Sequence, residues 1–264
     1  MKLVSLFTTE ILTECLKDIV VAKQEVDSNN FGGVMLERDL AKALRNHGHH
    51  VYTQRQIETL MNNGVTFDFG NRSYNDFKRD QKNITSDVYA SDLFLFSKNG
   101  VNLVLEDSVS LKTSINDNDG SKVFLANDAE GVAYDSVVSD ETEFSVGQVM
   151  IVSLNTKNLQ FSVDYFDGQI CDIVGLFKSN KVTTDKVSYN LKESVMGGKS
   201  REVITIVNRN SGNTKKKQTS FNRGIQLRRD FIPTLSEVGV FSNVCVGQVS
   251  VDYGKMVDEL LTLG

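Results

Sequence analysis

Cysteine, proline and long apolar stretches are all scarce in this chain of 264 residues. The three cysteines, Cys15, Cys171 and Cys245, are odd in number and form no CxxC pair, which argues against a disulfide framework and a cysteine zinc site. No apolar run approaches the roughly 18–20 residues of a membrane-spanning helix. Glu10 and Glu14 interrupt a signal-like amino terminus. These absences favour a reducing cytoplasm, that of a bacterial cell or, for a phage-encoded protein, that of its host.

The remaining composition is that of a globular protein. Hydrophobic residues make up 40% and charged residues 24% of the chain, which argues against the disordered and fibrous classes. Pro233 is the only proline, and together with the many Asn, Asp, Ser and Lys residues it is typical of the AT-rich coding of some phages and low-GC bacteria. The length predicts one compact unit, with a helical amino terminus and core over 1–145 and a β-rich extension over 146–264.

Apolar residues at helical spacing predict three helices in the amino-terminal part of the chain. The first covers about 5–27, the second 35–48 and the third 54–64, and Thr53 is a suitable N-cap for the third. Glycines 32–33 predict a flexible connection between the first two helices.

Residues 86–114 predict a hairpin around which the rest of the chain is organised. Asp92 opens the apolar run 93–96, and Asn99-Gly100 is a strong turn signal. A second run of alternating character follows the turn. Strand periodicity predicts a polar face with Glu106, Ser108, Ser110 and Lys112 and an apolar face with Leu103, Leu105, Val109 and Leu111.

This hairpin resembles the catalytic core of the PD-(D/E)XK nuclease family, which includes many restriction endonucleases. Members begin one strand with an Asp and carry an acid-X-Lys motif on the next strand, and Asp92 and Lys112 match those two positions. Ser110 stands where the second acid is expected. Some members with Ser-X-Lys take the missing carboxylate from the following helix, so the resemblance implies that Asp128 or Glu130 supplies it here.

The resemblance covers about residues 33–140 and also implies a fold and a cofactor. The fold is a restriction-endonuclease-like α/β (α+β) arrangement, a central mixed sheet flanked by helices, one of them over about 121–138. The implied cofactor is Mg²⁺, a hard cation that prefers carboxylate oxygens. An acid on the second helix, Glu37, is implied to approach the metal. The implied catalytic residues are Asp92, Ser110, Lys112 and Glu130, and the implied metal ligands are Asp92, Asp128, Glu130 and Glu37.

The same residues also have structural interpretations. Glu37 suits the first turn of a helix, where the helix dipole favours an acid. Asp92 and Lys112 suit the exposed polar ends of a hairpin. Glu106 and Asp107 are interpreted as rim or bulge acids, because six residues of regular strand would place Glu106 about 20 Å from Lys112.

Two further clusters are interpreted as structural. His47, His49 and His50 are the only histidines, and their spacing favours a polar surface turn over a metal site. Phe67 and Phe69 lie in an aromatic and charged segment, and packing beneath a loop is favoured over stacking on exposed bases.

Positive charge is concentrated in one part of a chain whose net charge is −5. Residues 178–230 contain thirteen Lys and Arg but only four acids, which indicates a polyanion-binding region. Segments 186–194 and 201–210 predict strands, and together with the basic segment 218–231 that follows them they predict a two-stranded basic ribbon that suits a DNA groove. The candidate nucleic-acid-binding residues are Lys199, Arg201, Arg209, Lys215, Lys216, Lys217, Asn222, Arg223, Arg228 and Arg229.

These patterns together predict a Mg²⁺-dependent DNA endonuclease, restriction-like or phage-encoded, that hydrolyses phosphodiester bonds. Double-stranded DNA is the expected partner, with RNA left open, and no membrane partner is expected. A homodimer is a further expectation, because many enzymes that cut both strands dimerise. Two other classes stay open: a non-catalytic nucleic-acid-binding protein on a decayed nuclease fold, and a phage structural or interaction protein.

Overall fold

The structure, a computed structural model, has a mixed α/β fold in which helices flank a mostly antiparallel central sheet. It describes residues 2–25, 31–70, 91–116, 122–126, 148–166, 177–182, 186–192, 194, 202–208 and 223–250. The described helices are α1 (Thr9–Glu25), α2 (Phe31–Asn46), α3 (Gln54–Asn62) and α4 (Ile232–Glu237), with 3-10 turns at Leu3–Leu6 and Arg229–Phe231. None of these helices is both long and apolar enough to cross a membrane.

The described strands form two sheets. In chain order they are β1 (His50–Thr53), β2 (Thr66–Asp68), β3 (Leu93–Asn99), β4 (Asn102–Asn116), β5 (Lys122–Ala126), β6 (Val149–Asn155), β7 (Gln160–Phe166), β8 (Phe177–Val182), β9 (Lys186–Leu191), β10 (Glu202–Asn208), β11 (Arg223–Arg228) and β12 (Ser242–Gln248). The central sheet has the order β1-β3-β4-β6-β7-β12, and β2 also pairs with β4. β2 and β6 run parallel to β4, whereas all other neighbouring strands of the central sheet are antiparallel to each other. The second sheet, β5-β11-β10-β9-β8, is antiparallel throughout.

Helices cover both faces of the central sheet because β3 is apolar on both sides. Leu93 and Leu95 join the larger core, which α1 and α2 form with the strands. Phe94 and Phe96 belong to a smaller cluster with Ile57 of α3. Each buried side chain of this size contributes about 1.5–3 kcal/mol. The alternation along β3 therefore holds α2 and α3 on opposite sides of one strand.

The smaller cluster confirms the structural interpretation of two aromatic residues. Phe67 and Phe69 are 8% and 9% exposed, and the ring centroids of Phe67 and Phe96 are 4.9 Å apart. Phe67 lies on β2, a short strand that the sequence did not predict. These rings are packing groups and offer no open face for a base.

The three helices predicted from apolar spacing are confirmed, with a correction at the start of α2. Thr53 caps α3, since its Oγ1 accepts a hydrogen bond from Gln56 N and the Gln56 side chain accepts one from Thr53 N. The prediction that 32–33 is a flexible connection is wrong, because α2 begins before these residues. A Cβ atom on Gly33 would lie 3.3 Å from Thr113 Oγ1. Glycine therefore allows α2 to approach β4 closely.

A bulge in β4 changes which residues share a face of the hairpin. The pairing of β3 with β4 shifts register around Glu106, which is the extra residue. Leu103, before the bulge, packs in the α3 cluster, whereas Val109 and Leu111 pack in the core beneath α1 and α2. The prediction of one apolar face is therefore wrong. The even-numbered residues of 108–112 lie on the α3 side of the sheet.

The strands predicted over 186–194 and 201–210 are confirmed as β9 and β10, and β6, β7 and β11 lie within the stretch predicted to be β-rich, 146–264. Residues 122–126 form β5, so the helix predicted over 121–138 is wrong for this stretch. Its short run of apolar residues, with β-branched Val123 and aromatic Phe124, suits a strand, and it pairs with β11. The remainder of that prediction falls in 127–147, outside the described residues. The sequence also did not predict α4, whose first turn contains Pro233, a common residue at that position.

Close packing against Gly247 leads to a stability prediction. Gly247 of β12 pairs with Phe161 of β7, and a Cβ atom on Gly247 would lie 2.5 Å from Phe161 Cζ and 2.8 Å from Thr9 Cγ2. Because Phe161 is buried in the core, Gly247→Ala is expected to lower the free energy of unfolding by about 1–3 kcal/mol in urea titrations. Val246→Ala, at an exposed neighbour, is expected to change it by less than about 0.5 kcal/mol. Equal unfolding midpoints for the two variants would contradict this account.

Candidate functional site

Asp92 and Lys112 lie side by side where β3 begins. The Asp92 N–H donates to Val109 O at 2.9 Å, which fixes this residue at the open end of the hairpin. Asp92 Oδ2 accepts hydrogen bonds from Leu111 N at 2.7 Å and from Ser110 Oγ at 3.1 Å. The same oxygen lies 3.8 Å from Lys112 Nζ. The carboxylate therefore faces two neutral donors and one cation.

The two charged groups are partly shielded from water and remain accessible. The Lys112 side chain is 16% exposed and that of Asp92 is 29% exposed, while Ser110 is buried. Ser110 is also the point where β4 begins to pair with β6, and its N–H donates to Gln148 O at 2.9 Å. Partial burial lowers the local dielectric, so the attraction between the charges exceeds that of a fully exposed pair.

Glu37, on α2, provides a second carboxyl group near this pair. Burial raises the pKa of Glu37 from 4.5 to about 7, the negative charge of Asp92 contributes to that rise, and Lys112 acts in the opposite direction. The mutual influence of these charges means that the three groups share one electrostatic environment. The carboxyl group on α2 therefore changes its protonation state near neutral pH.

The two carboxyl groups open onto a cleft of about 590 Å³. Glu37 and Asp92 line it from α2 and from the start of β3, and Arg38 and Arg55 add basic groups from α2 and the first turn of α3. Acidic and basic side chains therefore meet in one depression of the surface. The two arginines suit an anionic ligand, and the two carboxyl groups suit a cation bound together with it.

The α3 wall of the cleft is fixed by Arg45 of α2. Its Nη1 donates to Val51 O at 2.6 Å and to Gln56 Oε1 at 3.0 Å. Its guanidinium lies over the ring of Tyr52, 5.3 Å from the ring centroid. Because Gln56 also completes the capping box of Thr53, one arginine links α2, β1 and α3.

The cleft offers oxygen ligands in a number that suits Mg²⁺. Over the described ranges, no group of three or more His, Cys, Asp or Glu residues is arranged to hold a metal ion. Proteins commonly bind Mg²⁺ through one or two carboxylates, with water and substrate phosphates completing the shell. Asp92 and Glu37 fit that requirement, and in the same ranges both side-chain hydrogen bonds of Asp92 go to Oδ2. Asp128 and Glu130, the other predicted ligands, lie outside the described residues.

The other acids of the hairpin are engaged elsewhere. Glu106 is the bulge residue, as predicted, and its Oε1 accepts a hydrogen bond from Ser97 Oγ at 2.5 Å. Asp107 Oδ2 accepts one from Leu3 N at 2.6 Å. The histidines within 47–50 lie in the turn after α2 and at the start of β1. None of these groups contributes to the cleft lining described above.

The predicted nucleic-acid-binding region is described in part. Lys199, Arg201, Arg209, Lys215, Lys216, Lys217 and Asn222 lie outside the described residues. The predicted ribbon strands β9 and β10 are neighbours in the second sheet, where β11 lies beside β10, and Arg223 begins β11. Arg228 makes a two-point ion pair with Asp230, at 3.0 Å and 2.5 Å. Arg229 Nη1 donates to Ser114 Oγ at 3.5 Å.

Arg38 and Arg55 were not predicted as site residues. Each lies on the surface of a helix, where a charged residue is ordinary and carries no local signal of function. The available signal was proximity along the chain, since Arg38 follows Glu37 and Arg55 lies two residues after the N-cap Thr53.

Comparison of this chain with known proteins and structures identified no match. No protein-family model matches this chain, and neither a curated protein nor a solved structure does. What the site can do therefore follows from its own geometry and from the motif residues of the hairpin.

Proposed function

We propose that this protein is a Mg²⁺-dependent nuclease of the PD-(D/E)XK type that hydrolyses phosphodiester bonds in double-stranded DNA. The observation that supports this most strongly is the meeting of Asp92 and Glu37 at one cleft, with Lys112 Nζ 3.8 Å from the Asp92 carboxylate. Asp92 and Lys112 come from one hairpin, whereas Glu37 comes from α2, more than fifty residues earlier in the chain. A hairpin with merely exposed polar ends would not require a third ionisable group from a helix.

Phosphodiester hydrolysis needs an activated water molecule and positive charge near the phosphate and the leaving oxygen. A bound Mg²⁺ supplies charge neutralisation and lowers the pKa of water. The ammonium group of Lys112 orients the attacking water and places a further positive charge beside the scissile phosphate. Asp92 and Glu37 are the carboxylates that would hold the ion.

Ser110 has a positioning role in this proposal. Its hydroxyl and the Leu111 N–H hold Asp92 Oδ2 at 3.1 Å and 2.7 Å, so the carboxylate keeps one orientation. A serine does not replace the charge of the expected second acid. Glu37 provides that charge within the cleft, and Asp128 and Glu130 are the further candidates that the family resemblance implies.

The choice of DNA as substrate rests on charge. Arg38 and Arg55 line the cleft, and thirteen basic residues lie within 178–230. Each phosphate contact by such a residue adds affinity that is independent of sequence and falls with salt. A duplex fits the predicted ribbon, and cutting both strands is the reason for expecting a homodimer.

A second candidate is a nucleic-acid-binding protein in which the nuclease site no longer cuts. The observation that favours it is the environment of Asp92 Oδ2, which is engaged by Ser110, Leu111 and Lys112 together. In that case the ion pair stabilises the hairpin, and the basic residues bind DNA without hydrolysis.

Plasmid cleavage in Mg²⁺ or in EDTA distinguishes the two candidates. We expect the protein to nick or cut DNA only with Mg²⁺, and Asp92→Asn to reduce the rate at least about 10²-fold through loss of a metal ligand. Glu106→Gln is the control, because Glu106 lies on the same hairpin and accepts a hydrogen bond from Ser97 outside the cleft lining. Salt-sensitive gel retardation without cleavage would select the second candidate, and the absence of both activities would overturn both.

A further inference from the structure

A second polar pocket lies on the central sheet beside the Arg229–Phe231 turn. Its volume is about 610 Å³, and it shares no described lining residue with the cleft near Asp92. Ser153, Ser162 and Arg229 line it, together with side-chain amides of the β6–β7 turn and of β12. Over the described lining, Arg229 is the one charged residue. The described lining of the pocket therefore has a positive formal charge among neutral polar side chains.

Three serines form a row beside this pocket. Ser114 of β4 pairs with Ser153 of β6, and Ser153 pairs with Ser162 of β7. Residues directly opposite one another on neighbouring strands point to the same face, so the three hydroxyl groups lie on one side of the sheet. Arg229 Nη1 reaches the β4 end of the row, 3.5 Å from Ser114 Oγ.

The middle serine has a hydroxyl group that the described part of the chain does not satisfy. Ser153 is 2% exposed, and its Oγ has no hydrogen-bond partner among the described residues. A buried hydroxyl without a partner is unfavourable, and folded interiors retain few of them. An acceptor oxygen on a ligand in the pocket would satisfy it.

The nearest acid does not present its carboxylate to the pocket. Asp164 is 5% exposed, and it accepts hydrogen bonds from Ser162 Oγ at 3.2 Å and from Asn243 Nδ2 at 3.0 Å. Burial raises the pKa of Asp164, while the bonds from Asn243 and Ser162 and the charge of Arg229 lower it. The groups that face the pocket are thus guanidinium, hydroxyl and amide donors, which suit an anion rather than a cation.

The rim of the pocket carries amides that suit a polar ring. Asn158 Nδ2 donates to Gln160 Oε1 at 3.1 Å, and Gln248 Nε2 donates to Asn158 O at 3.1 Å. In the described chain this leaves the amide nitrogen of Gln160 as a donor and the amide oxygen of Gln248 as an acceptor. A donor and an acceptor of this kind are what side-chain amides use to bind the edge of a purine.

We propose that this pocket binds a small phosphate monoester, and that a nucleoside monophosphate fits both of its ends. Arg229 and Ser153 contact the phosphate, and Gln160 and Gln248 contact the base. The volume lies within the roughly 300–1,000 Å³ of small-molecule sites. This binding site is separate from the cleft at Asp92 and does not depend on cleavage there.

Calorimetric titration of the full chain with dAMP, with deoxyadenosine and with inorganic phosphate tests the proposal. We expect dAMP to bind at least about 10-fold more tightly than deoxyadenosine, because a charged hydrogen bond is worth about that factor or more. Ser153→Ala and Arg229→Gln are each expected to weaken dAMP binding by about 10-fold or more. Ser5→Ala, a serine near the amino terminus and outside the pocket lining, is expected to bind dAMP normally.

Ser153→Ala also separates binding from folding. The variant removes a hydroxyl without a described partner, so its melting temperature is expected to equal that of the original protein or to exceed it. Absence of dAMP binding, equal affinity for deoxyadenosine, or normal dAMP affinity in Ser153→Ala would each overturn the proposal. Plasmid cleavage by Ser153→Ala is expected at the original rate, so failure of the nuclease proposal and failure of this one give different results.

Discussion

Lys112→Met is expected to reduce DNA cleavage by about 10³-fold, because it removes both the positive charge beside the phosphate and the group that orients water. Methionine keeps most of the aliphatic length of a side chain that is only 16% exposed, so packing along β4 is preserved. Affinity for uncut DNA is expected to change by less than about threefold, since one contact among many contributes little to binding. The measurement is single-turnover cleavage in Mg²⁺ together with gel retardation in EDTA.

Lys98→Met provides the matched control for this experiment. Lys98 lies on β3 of the same hairpin, is exposed and belongs to the far end near the turn. The Lys98→Met variant is expected to cut DNA at the original rate. If Lys112→Met also cut at the original rate while Asp92→Asn did not, the role assigned to Lys112 would be wrong and the lysine would only pair with Asp92.

The approach of Asp92 to Lys112 follows from features that the sequence displays. An Asn-Gly turn at 99–100 predicts the hairpin, and the register next to it would place Leu93 opposite Ser108; the bulge at Glu106 shifts Leu93 to Val109. Asp92 precedes that pair and Lys112 follows it on the same hairpin. Local turn chemistry therefore brings the two residues near the same end of the hairpin, and the bulge is needed to place both side chains on the same face of the sheet.

Other parts of the site depend on contacts that no local pattern contains. The bulge at Glu106 arises from the pairing of two strands, and it places Leu103 on the α3 side of the sheet. Gly33 is a helix breaker in isolation, yet the close approach to Thr113 places it inside α2. In both cases the tertiary packing overrides the local preference.

The cleft itself illustrates why function was harder to predict than secondary structure. Glu37 was implied by resemblance alone. The alternative interpretation, a solvated acid in the first turn of its helix, is wrong, because α2 begins at Phe31 and Glu37 lies in its second turn. Its proximity to Asp92 depends on how α2 crosses the sheet, and that crossing is set by apolar residues such as Leu36 and Leu40 in the core. The burial of Glu37 is a consequence of that packing.

Glu37→Gln is expected to change how stability depends on pH in the absence of metal. Burial and the charge of Asp92 raise the pKa of Glu37 from 4.5 to about 7, so the folded state holds a proton that the unfolded state releases between these values. The free energy of unfolding of the original protein therefore decreases as pH rises from about 4.5 to 7. Each pKa unit corresponds to about 1.4 kcal/mol, and partial solvent screening leaves an expected total of about 1–2 kcal/mol. The Glu37→Gln variant avoids this loss, because an amide side chain cannot ionise.

Urea unfolding of both proteins in EDTA at several pH values provides the measurement. The stability of Glu37→Gln relative to the original protein is expected to increase from pH 5 to pH 8. Asp92→Asn supplies the control, because removing the second cause of the shift should lower the pKa of Glu37 and reduce that increase. If the difference in unfolding free energy between Glu37→Gln and the original protein stayed constant from pH 5 to pH 8, Glu37 would be well solvated. Asp92 and Glu37 would then not share one site, and the carboxylate pair that would hold Mg²⁺ would be lost from the proposal.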